Sequence, residues 1–209
     1  VSEEFDRAYW EERYHGHPTA VRDRPNPQLL TETADLAPGT ALDAGCGEGA
    51  DARWLAGRGW QVTAVDISAT ALRRAREQAD ALGPDLASRI SWVEADLTVW
   101  TPAAQRYDLV STHYAHPAGP REALFGRLAA AVAPGGTLLI VGHHPSAPRA
   151  GVSHAGAARA HFTAEEVAAG LDPEHWDIAV AEARTRSATA PDGQEVTLRD
   201  AVLRARRRP

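Results

Sequence analysis

With 209 residues, 44% of them hydrophobic and 24% charged, the sequence has the balance of an ordinary globular domain and enough apolar material for a full core. A net charge of −6 argues against a general electrostatic grip on nucleic acid, no apolar run approaches a membrane span, and the opening VSEEFDRAYWEERY reads as too polar for a signal peptide. The single cysteine, Cys46, excludes an internal disulfide framework and points to a reducing cytoplasm.

The chain reads first as two helices, Phe5–Tyr14 and Gln28–Leu36, separated by a linker rich in Pro and His. Short apolar runs follow at Thr40–Ala44, Gln61–Val65, Ile90–Ala95, Leu109–Thr112 and Thr137–Val141, most of them bounded by Gly, Pro or Asp, and these read as strands. Between them Ser68 caps a helix with Leu72, Ala75, Ala79 and Leu82 at helical spacing, stopped by Gly83-Pro84. A second helix spans Arg121–Val132, closed by Pro134-Gly135-Gly136. Such alternation builds right-handed βαβ units around a parallel sheet. After a helix near Thr163–Gly170 come two strand-like runs, Trp176–Arg186 and Val196–Ala205, joined by a loop carrying Pro191-Asp192-Gly193; they read as an antiparallel hairpin on the sheet edge. The basic run Arg204–Arg208 reads as a solvated chain end. The whole is expected to be one domain: a helical cover over residues 1–36 and an α/β core over 37–209.

The stretch ALDAGCGEGADARWLAGRG (41–59) brings glycines to the end of the first strand, where ligands of open α/β sheets bind. As Gly45-x-Gly47-x-x-Ala50 it satisfies the dinucleotide pattern, so spacing alone leaves an NADP-dependent oxidoreductase open. The acids argue otherwise. Asp43 precedes the glycines and Glu48 lies within them, which suits a ligand with an amine and a sulfonium better than a pyrophosphate. Asp66 ends the second strand, where a carboxylate accepts ribose hydroxyls. Asp96 ends the third, beside the place of an adenine edge, and a dinucleotide fold does not require it.

The segments LDAGCGEG (42–49), VTAVDIS (62–68), VEADL (93–97), YDLV (107–110) and PGGTLLIVG (134–142) resemble, in order, the landmarks of class I S-adenosylmethionine-dependent methyltransferases. YWEERY (9–14) and RPNP (24–27) look more like the small-molecule subgroup of tellurite-resistance and thiopurine methyltransferases. The resemblance implies a Rossmann-like, doubly wound α/β fold with a seven-stranded, mostly parallel sheet and a C-terminal antiparallel hairpin. It implies S-adenosylmethionine as cofactor, S-adenosylhomocysteine as product, a small-molecule acceptor, no nucleic-acid or membrane partner, and a monomer or homodimer. Carried over by position, Gly45 and Gly47, with Cys46 between them, would pass under the methionine part, and Asp43 would orient the loop or the amino group. Asp66 would take the ribose, Ile67 with Ser68 beside it would meet the adenine face, and Asp96 with the Leu97 amide would meet the adenine edge. Thr112 or His113 backbone would face the amino group, while Trp10 and Arg13 would close over the cofactor.

Methyl transfer needs alignment and exclusion of water, and a base only when the acceptor arrives protonated. His113, Tyr114 and His143, at the ends of the fourth and fifth strands, are the candidate base and substrate contacts. His113-x-x-His116 with His143 and His144 offers imidazoles for zinc or iron, but no carboxylate or cysteine joins them at recognisable spacing, so no metal is expected. Arg121, Arg149, His154 and His161 are further candidates for an anionic or aromatic acceptor, and Ser146–Ala160 reads as a flap. Ser111-Thr112-His113-Tyr114 stands where amino-methylating enzymes of nucleic acid carry Asn or Asp before Pro-Pro-aromatic. A cofactor-binding sensor without turnover is the alternative from a different class.

Overall fold

The computed structural model describes residues 5–16, 24–146, 161–189 and 195–209. The expected loop at Pro191-Asp192-Gly193, Arg149, His154 and the flap from residue 147 onward lie outside them.

Seven strands form one sheet in the order β3-β2-β1-β4-β5-β7-β6. They are β1 (Thr40–Ala44), β2 (Gln61–Asp66), β3 (Ile90–Glu94), β4 (Tyr107–His113), β5 (Val132–His143), β6 (Trp176–Thr189) and β7 (Glu195–Arg207). The first five pair in parallel, and β7 runs antiparallel between β5 and β6. The expected architecture is therefore present, with the order reversing between β1 and β4.

Period-two alternation divides the core. Ala41, Leu109, Leu139, Val141 and Val202 face one side with Leu29, Ala52 and Leu55. Leu42, Val110, Leu138, Ile140 and Leu203 face the other with Leu124, Leu128, Phe162 and Trp176. The first side is covered by α2 (Pro27–Glu32), α3 (Ala50–Gly57) and α4 (Ala69–Ala81); the second by α6 (Arg121–Ala131) and α7 (Ala164–Ala169). Ser68 caps α4 through the Ala71 amide (3.1 Å), as its sequence predicts, and α1 (Arg7–Gly16) packs across that end of the helix.

Several boundaries depart from the sequence reading; the first helix, for example, runs over Arg7–Gly16 rather than Phe5–Tyr14. Gly83-Pro84 ends α4 but also starts α5 (Pro84–Ala87), because proline suits the first helical turn, and Leu82 lies past α4's last turn and is exposed. The second helix stops at Glu32 rather than Leu36, with the Thr33 hydroxyl bonded back to the Leu29 carbonyl. Pro134-Gly135-Gly136 does not separate helix from strand: β5 begins at Val132, which pairs with Tyr107, and the ladder shifts register before Leu109 pairs with Thr137. Positive φ at Gly135 (77°) accommodates the irregularity.

The basic run is only partly solvated: Arg206 and Arg208 are exposed, but the run belongs to the end of β7 and its arginines are paired. Arg204 pairs with Asp35 (2.9 Å), Arg206 and Arg207 donate to the Gly135 and Val132 carbonyls, and Arg208 pairs with Asp177 (2.7 Å). These contacts lace β7 to its surroundings. No helix among the described residues is long and apolar enough to cross a membrane.

Candidate functional site

The loop after β1 is held by backbone bonds from Gly45 (2.8 Å) and Cys46 (3.0 Å) to the Val65 carbonyl, and φ is positive at Gly45, Gly47 and Gly49 (81°, 53° and 75°). Glycine is required at both Gly47, where a Cβ would lie 2.7 Å from the Tyr14 hydroxyl, and Gly49, where it would lie 2.6 Å from the Trp92 ring. Gly47→Ala is accordingly expected to cost about 2 kcal/mol from the left-handed backbone alone, lowering Tm by roughly 4–8 °C in a domain of this size; a thermal scan checks it. Helix α1 is fastened to the same region: Arg7 pairs with Glu94 and donates to the Ile67 carbonyl (2.9 Å), and Glu11 accepts from the Thr70 amide (3.3 Å).

Asp66, buried at the end of β2, accepts from the Gly47 amide (2.8 Å) and the Ser68 amide (3.0 Å). Burial pushes its pKa up, against these amide bonds. One acid weighed in the sequence has another use: Glu48 is buried and paired with Arg74 (2.9 Å), so its charge is spent on α4 and not on a ligand. Burial first, and then Asp66 and Asp43, push the Cys46 thiol well up, which leaves an unreactive small residue in a tight loop.

The remaining cofactor candidates lie around this loop. Asp96 accepts from the Thr98 amide (2.8 Å), and the Leu97 side chain is 3.8 Å from where a Gly45 Cβ would be. Thr112 is buried and its hydroxyl donates to the Ala44 carbonyl (2.8 Å), locking β4 to β1. Trp10 stacks between Phe5 and His116 (ring centroids 6.1 and 6.3 Å apart), while Arg13 is exposed, 6.0 Å from the Trp10 ring. These residues meet the physical requirements of S-adenosylmethionine: a glycine cradle that admits no side chain, and a buried carboxylate at the end of β2 with acceptor capacity beyond its two amide bonds.

Across the reversal in strand order lies a second, polar cluster. His113 Nδ1 meets Asp51 Oδ2 at 2.6 Å, and Asp51 Oδ1 accepts from the Asn26 amide (2.6 Å). Burial disfavours the imidazolium, yet Asp51, by charge and hydrogen bond, outweighs it and holds the His113 pKa above the ordinary histidine value. Tyr114 follows in a left-handed conformation (φ 52°), with its ring 4.7 Å from that of His143. Burial first, and then the His161 ring beside it, push the His143 pKa down to about 4, so this ring is neutral at pH 7.

Of five buried side-chain polar atoms without a hydrogen-bond partner among the described residues, four belong to this cluster: Asp43 Oδ2, His113 Nε2, the Tyr114 hydroxyl and Asp200 Oδ1. Each such atom costs about 1–3 kcal/mol, so their concentration here singles this cluster out from the rest of the buried core. A cavity between α6 and α7, lined by Phe125, Leu138, Ile140, Leu171 and Trp176, lies on the other face and contains none of them.

The four histidines do not form the imidazole set their spacing suggests. His116, His143 and His161 stack in a row with 5.6 Å between neighbouring centroids, and His144 turns to Ser146 (2.8 Å). Among the described residues the convergent donor group is instead Asp43, Asp51 and His113, whose ligand atoms lie within 4.8 Å of one another. Both Asp51 oxygens already accept hydrogen bonds there.

Asp43 carries a pH signature. Burial first, then the Asp51 charge, push its pKa up to about 8, against the pull of His113. An unfolded aspartate titrates near 4. From roughly pH 4 to pH 8 the folded chain therefore keeps a proton that the unfolded chain has lost, and stability falls as pH rises through that window. Asp43→Asn, which cannot titrate, is expected to gain Tm relative to the wild type progressively over this range. A Tm difference independent of pH would show that Asp43 titrates normally.

Sequence reading missed Asp51, Arg186 and Asp200, and the contact of Tyr14 with the glycine loop. Only Asp200 left a signal: a lone acid abutting the apolar run AVL in a strand.

Residues 41–136 match the family described as a methyltransferase domain. Among curated proteins, trans-aconitate 2-methyltransferase of Paracidovorax citrulli is 37% identical over 57% of this chain and 44% of its own length. An uncharacterized methyltransferase of Mycobacterium tuberculosis is 38% identical over 60% of this chain and 61% of its own. The chain thus spans about half the length of the curated relatives it matches. Among solved structures, one described for conversion of a disulfide bond into a thioacetal group during echinomycin biosynthesis superposes with a TM-score of 0.71, at 26% identity, covering 96% of this chain and 92% of that one. N-methyltransferase NodS of Bradyrhizobium japonicum, in complex with S-adenosylhomocysteine, gives 0.69 at 21% identity, covering 97% and 99%. The sheet order, the glycine loop and these likenesses together give one result: the chain has the fold of class I S-adenosylmethionine-dependent methyltransferases, and its residues 41–136 match a methyltransferase domain.

Proposed function

We propose that the chain is an enzyme that transfers a methyl group from S-adenosylmethionine to a small-molecule acceptor, with His113 as the base for an acceptor that arrives protonated. The observation that carries this reading is the Asp51–His113 pair (2.6 Å) at the end of β4, with Nε2 buried and unpartnered. Asp51 keeps the proton on Nδ1, and Nε2 is left as a lone-pair acceptor. When bound, the cofactor supplies an electrophilic methyl on a sulfonium. The chain's own residues then bind and align: Asp66 for the ribose, the backbone of Gly45 and Gly47 under the methionine part, Asp96 and Leu97 at the adenine edge, and Trp10 as cover. Tyr114 and neutral His143 line the acceptor side. His113 takes the acceptor's proton only when it is itself neutral.

The names of relatives do not choose the acceptor, since they include a trans-aconitate, a probable thiol and a ribosomal RNA methyltransferase. A small molecule is favoured by the acidic balance and by the enclosed, ring-lined cluster. The lone, unreactive Cys46 fits a reducing cytoplasm. Helix α1, fastened to β3 and the start of α4, acts as a cover over the cofactor side of the core. The test is transfer of a labelled methyl group to a panel of phenol, thiol, amine and carboxylate acceptors, followed across pH. Activity toward protic acceptors is expected to rise as pH climbs through the raised His113 pKa, and tight S-adenosylhomocysteine binding without transfer to any acceptor would overturn the reading.

A further inference from the structure

The C-terminal hairpin contributes an ion pair to the acceptor side. Arg186 on β6 donates from Nε to Asp200 Oδ2 on β7 (2.8 Å). The Asp200 side chain is fully buried, while that of Arg186 is 24% exposed. The guanidinium lies 5.5 Å from the centre of the Tyr114 ring, and Tyr114 in turn contacts His143. The register explains the meeting: Asp200 is opposite His143 on β5 and opposite Arg184 on β6, two residues from Arg186 on the same face.

This arrangement uses only one edge of the guanidinium. Nε is fixed by a carboxylate that cannot move without unpairing a buried charge. The Nη nitrogens make no hydrogen bond of normal geometry to any described residue. The Tyr114 hydroxyl is near enough to Asp200 and Arg186 for both to act on its ionisation, yet it too lacks a well-formed bond. His143 beside them is neutral at pH 7 and adds no competing positive charge. A guanidinium pre-oriented through Nε, with the Tyr114 hydroxyl close by, offers its Nη donors to the two oxygens of a carboxylate.

We propose that Arg186, held in place by Asp200, binds a carboxylate of the methyl acceptor on its Nη edge, so that the acceptor is a small organic acid. Arg186 is then the specificity-determining residue, and Asp200 is a positioning residue that acts through it. The pair Arg186–Asp200 is neutral overall, so discrimination comes from directed hydrogen bonds rather than from a general positive field. An acceptor whose carboxylate is replaced by an amide keeps its shape and loses the charge-assisted pair. The inference rests on the methyl-transfer reading for the word acceptor, but its binding test does not.

The experiment pairs acids with their amides: 4-hydroxybenzoate, 4-mercaptobenzoate and 4-aminobenzoate against the corresponding carboxamides. In protein saturated with S-adenosylhomocysteine, calorimetric titration is expected to show at least tenfold tighter binding of one or more acids than of the matched amide. Arg186→Gln should bring that ratio close to one, through weaker acid binding, with S-adenosylhomocysteine affinity unchanged. Arg186→Lys should retain part of the preference, since charge remains but the planar fork is gone. Arg186→Gln leaves Asp200 buried and unpaired, so Arg186→Gln/Asp200→Asn is made alongside it to keep the fold. Where transfer is measurable, the loss should appear in KM rather than kcat. Equal binding of every acid and its amide by the wild type overturns the proposal, and so does an acid preference that survives in the double variant. Acid-selective binding with no methyl transfer to any acceptor would instead overturn the enzymatic reading and leave Arg186 as a carboxylate site.

Discussion

Asp66→Ala is expected to weaken S-adenosylhomocysteine binding by about 3 kcal/mol, close to a hundredfold or somewhat more in Kd. Two effects combine. The variant loses one or two charge-assisted hydrogen bonds to a ribose, each worth roughly 1.5–3 kcal/mol. It also frees the Gly47 and Ser68 amides that Asp66 now holds, so the glycine loop and the start of α4 lose a shared anchor. Asp66→Asn separates the two, because the amide oxygen still accepts one backbone bond. Isothermal calorimetry at fixed ionic strength checks both variants, and unchanged affinity in Asp66→Ala would remove the ribose assignment.

The second large effect is on turnover. In Asp51→Asn the side-chain amide can donate to His113 Nδ1, which favours the tautomer with its proton on Nε2. A base so arranged cannot accept the acceptor's proton, and kcat toward phenol or amine acceptors is expected to fall by about 10²–10⁴-fold. S-adenosylhomocysteine affinity should stay within a few-fold of the wild type, since Asp51 stands on the acceptor side of the loop. A carboxylate acceptor, already ionised, should be methylated at close to the wild-type rate. Stopped-flow or single-turnover assays with both acceptor types check the split, and equal losses for both would show that Asp51 is merely structural.

The parts of the site that were legible in the sequence are those that local rules determine. A glycine loop after an apolar run, and an acid closing each of the next two strands, can be read because strand ends and turns are properties of neighbouring residues. Gly45, Gly47 and Asp66 therefore fall where their spacing places them, whereas β3 closes at Glu94 and Asp96 lies two residues beyond it. Pairings across the sheet cannot be read this way. Asp51 and His113 are 62 positions apart and meet only because β4 lies next to β1. Arg186 and Asp200 meet because β7 inserts between β5 and β6. Glu48 shows the opposite error, a residue whose local setting suggested a ligand role while Arg74, 26 positions later, claims its charge. At Pro134-Gly135-Gly136 strong local breakers lost to the tertiary ladder with β4.

The antiparallel placement of β7 has a consequence for synthesis on the ribosome. Strand β5 is made more than fifty residues before β7, its partner on that side. During that interval β5 has β4 on one side and a bare, strongly apolar edge (Leu138, Leu139, Ile140, Val141) on the other. Alternative pairing, including pairing between nascent chains, competes with native completion until residues 195–207 emerge. Slowing translation between β5 and β7 lengthens that exposure, and a chaperone that shields strand edges shortens it. The half of the site that would hold the cofactor is already enclosed by then, whereas the half that would choose the acceptor is assembled last.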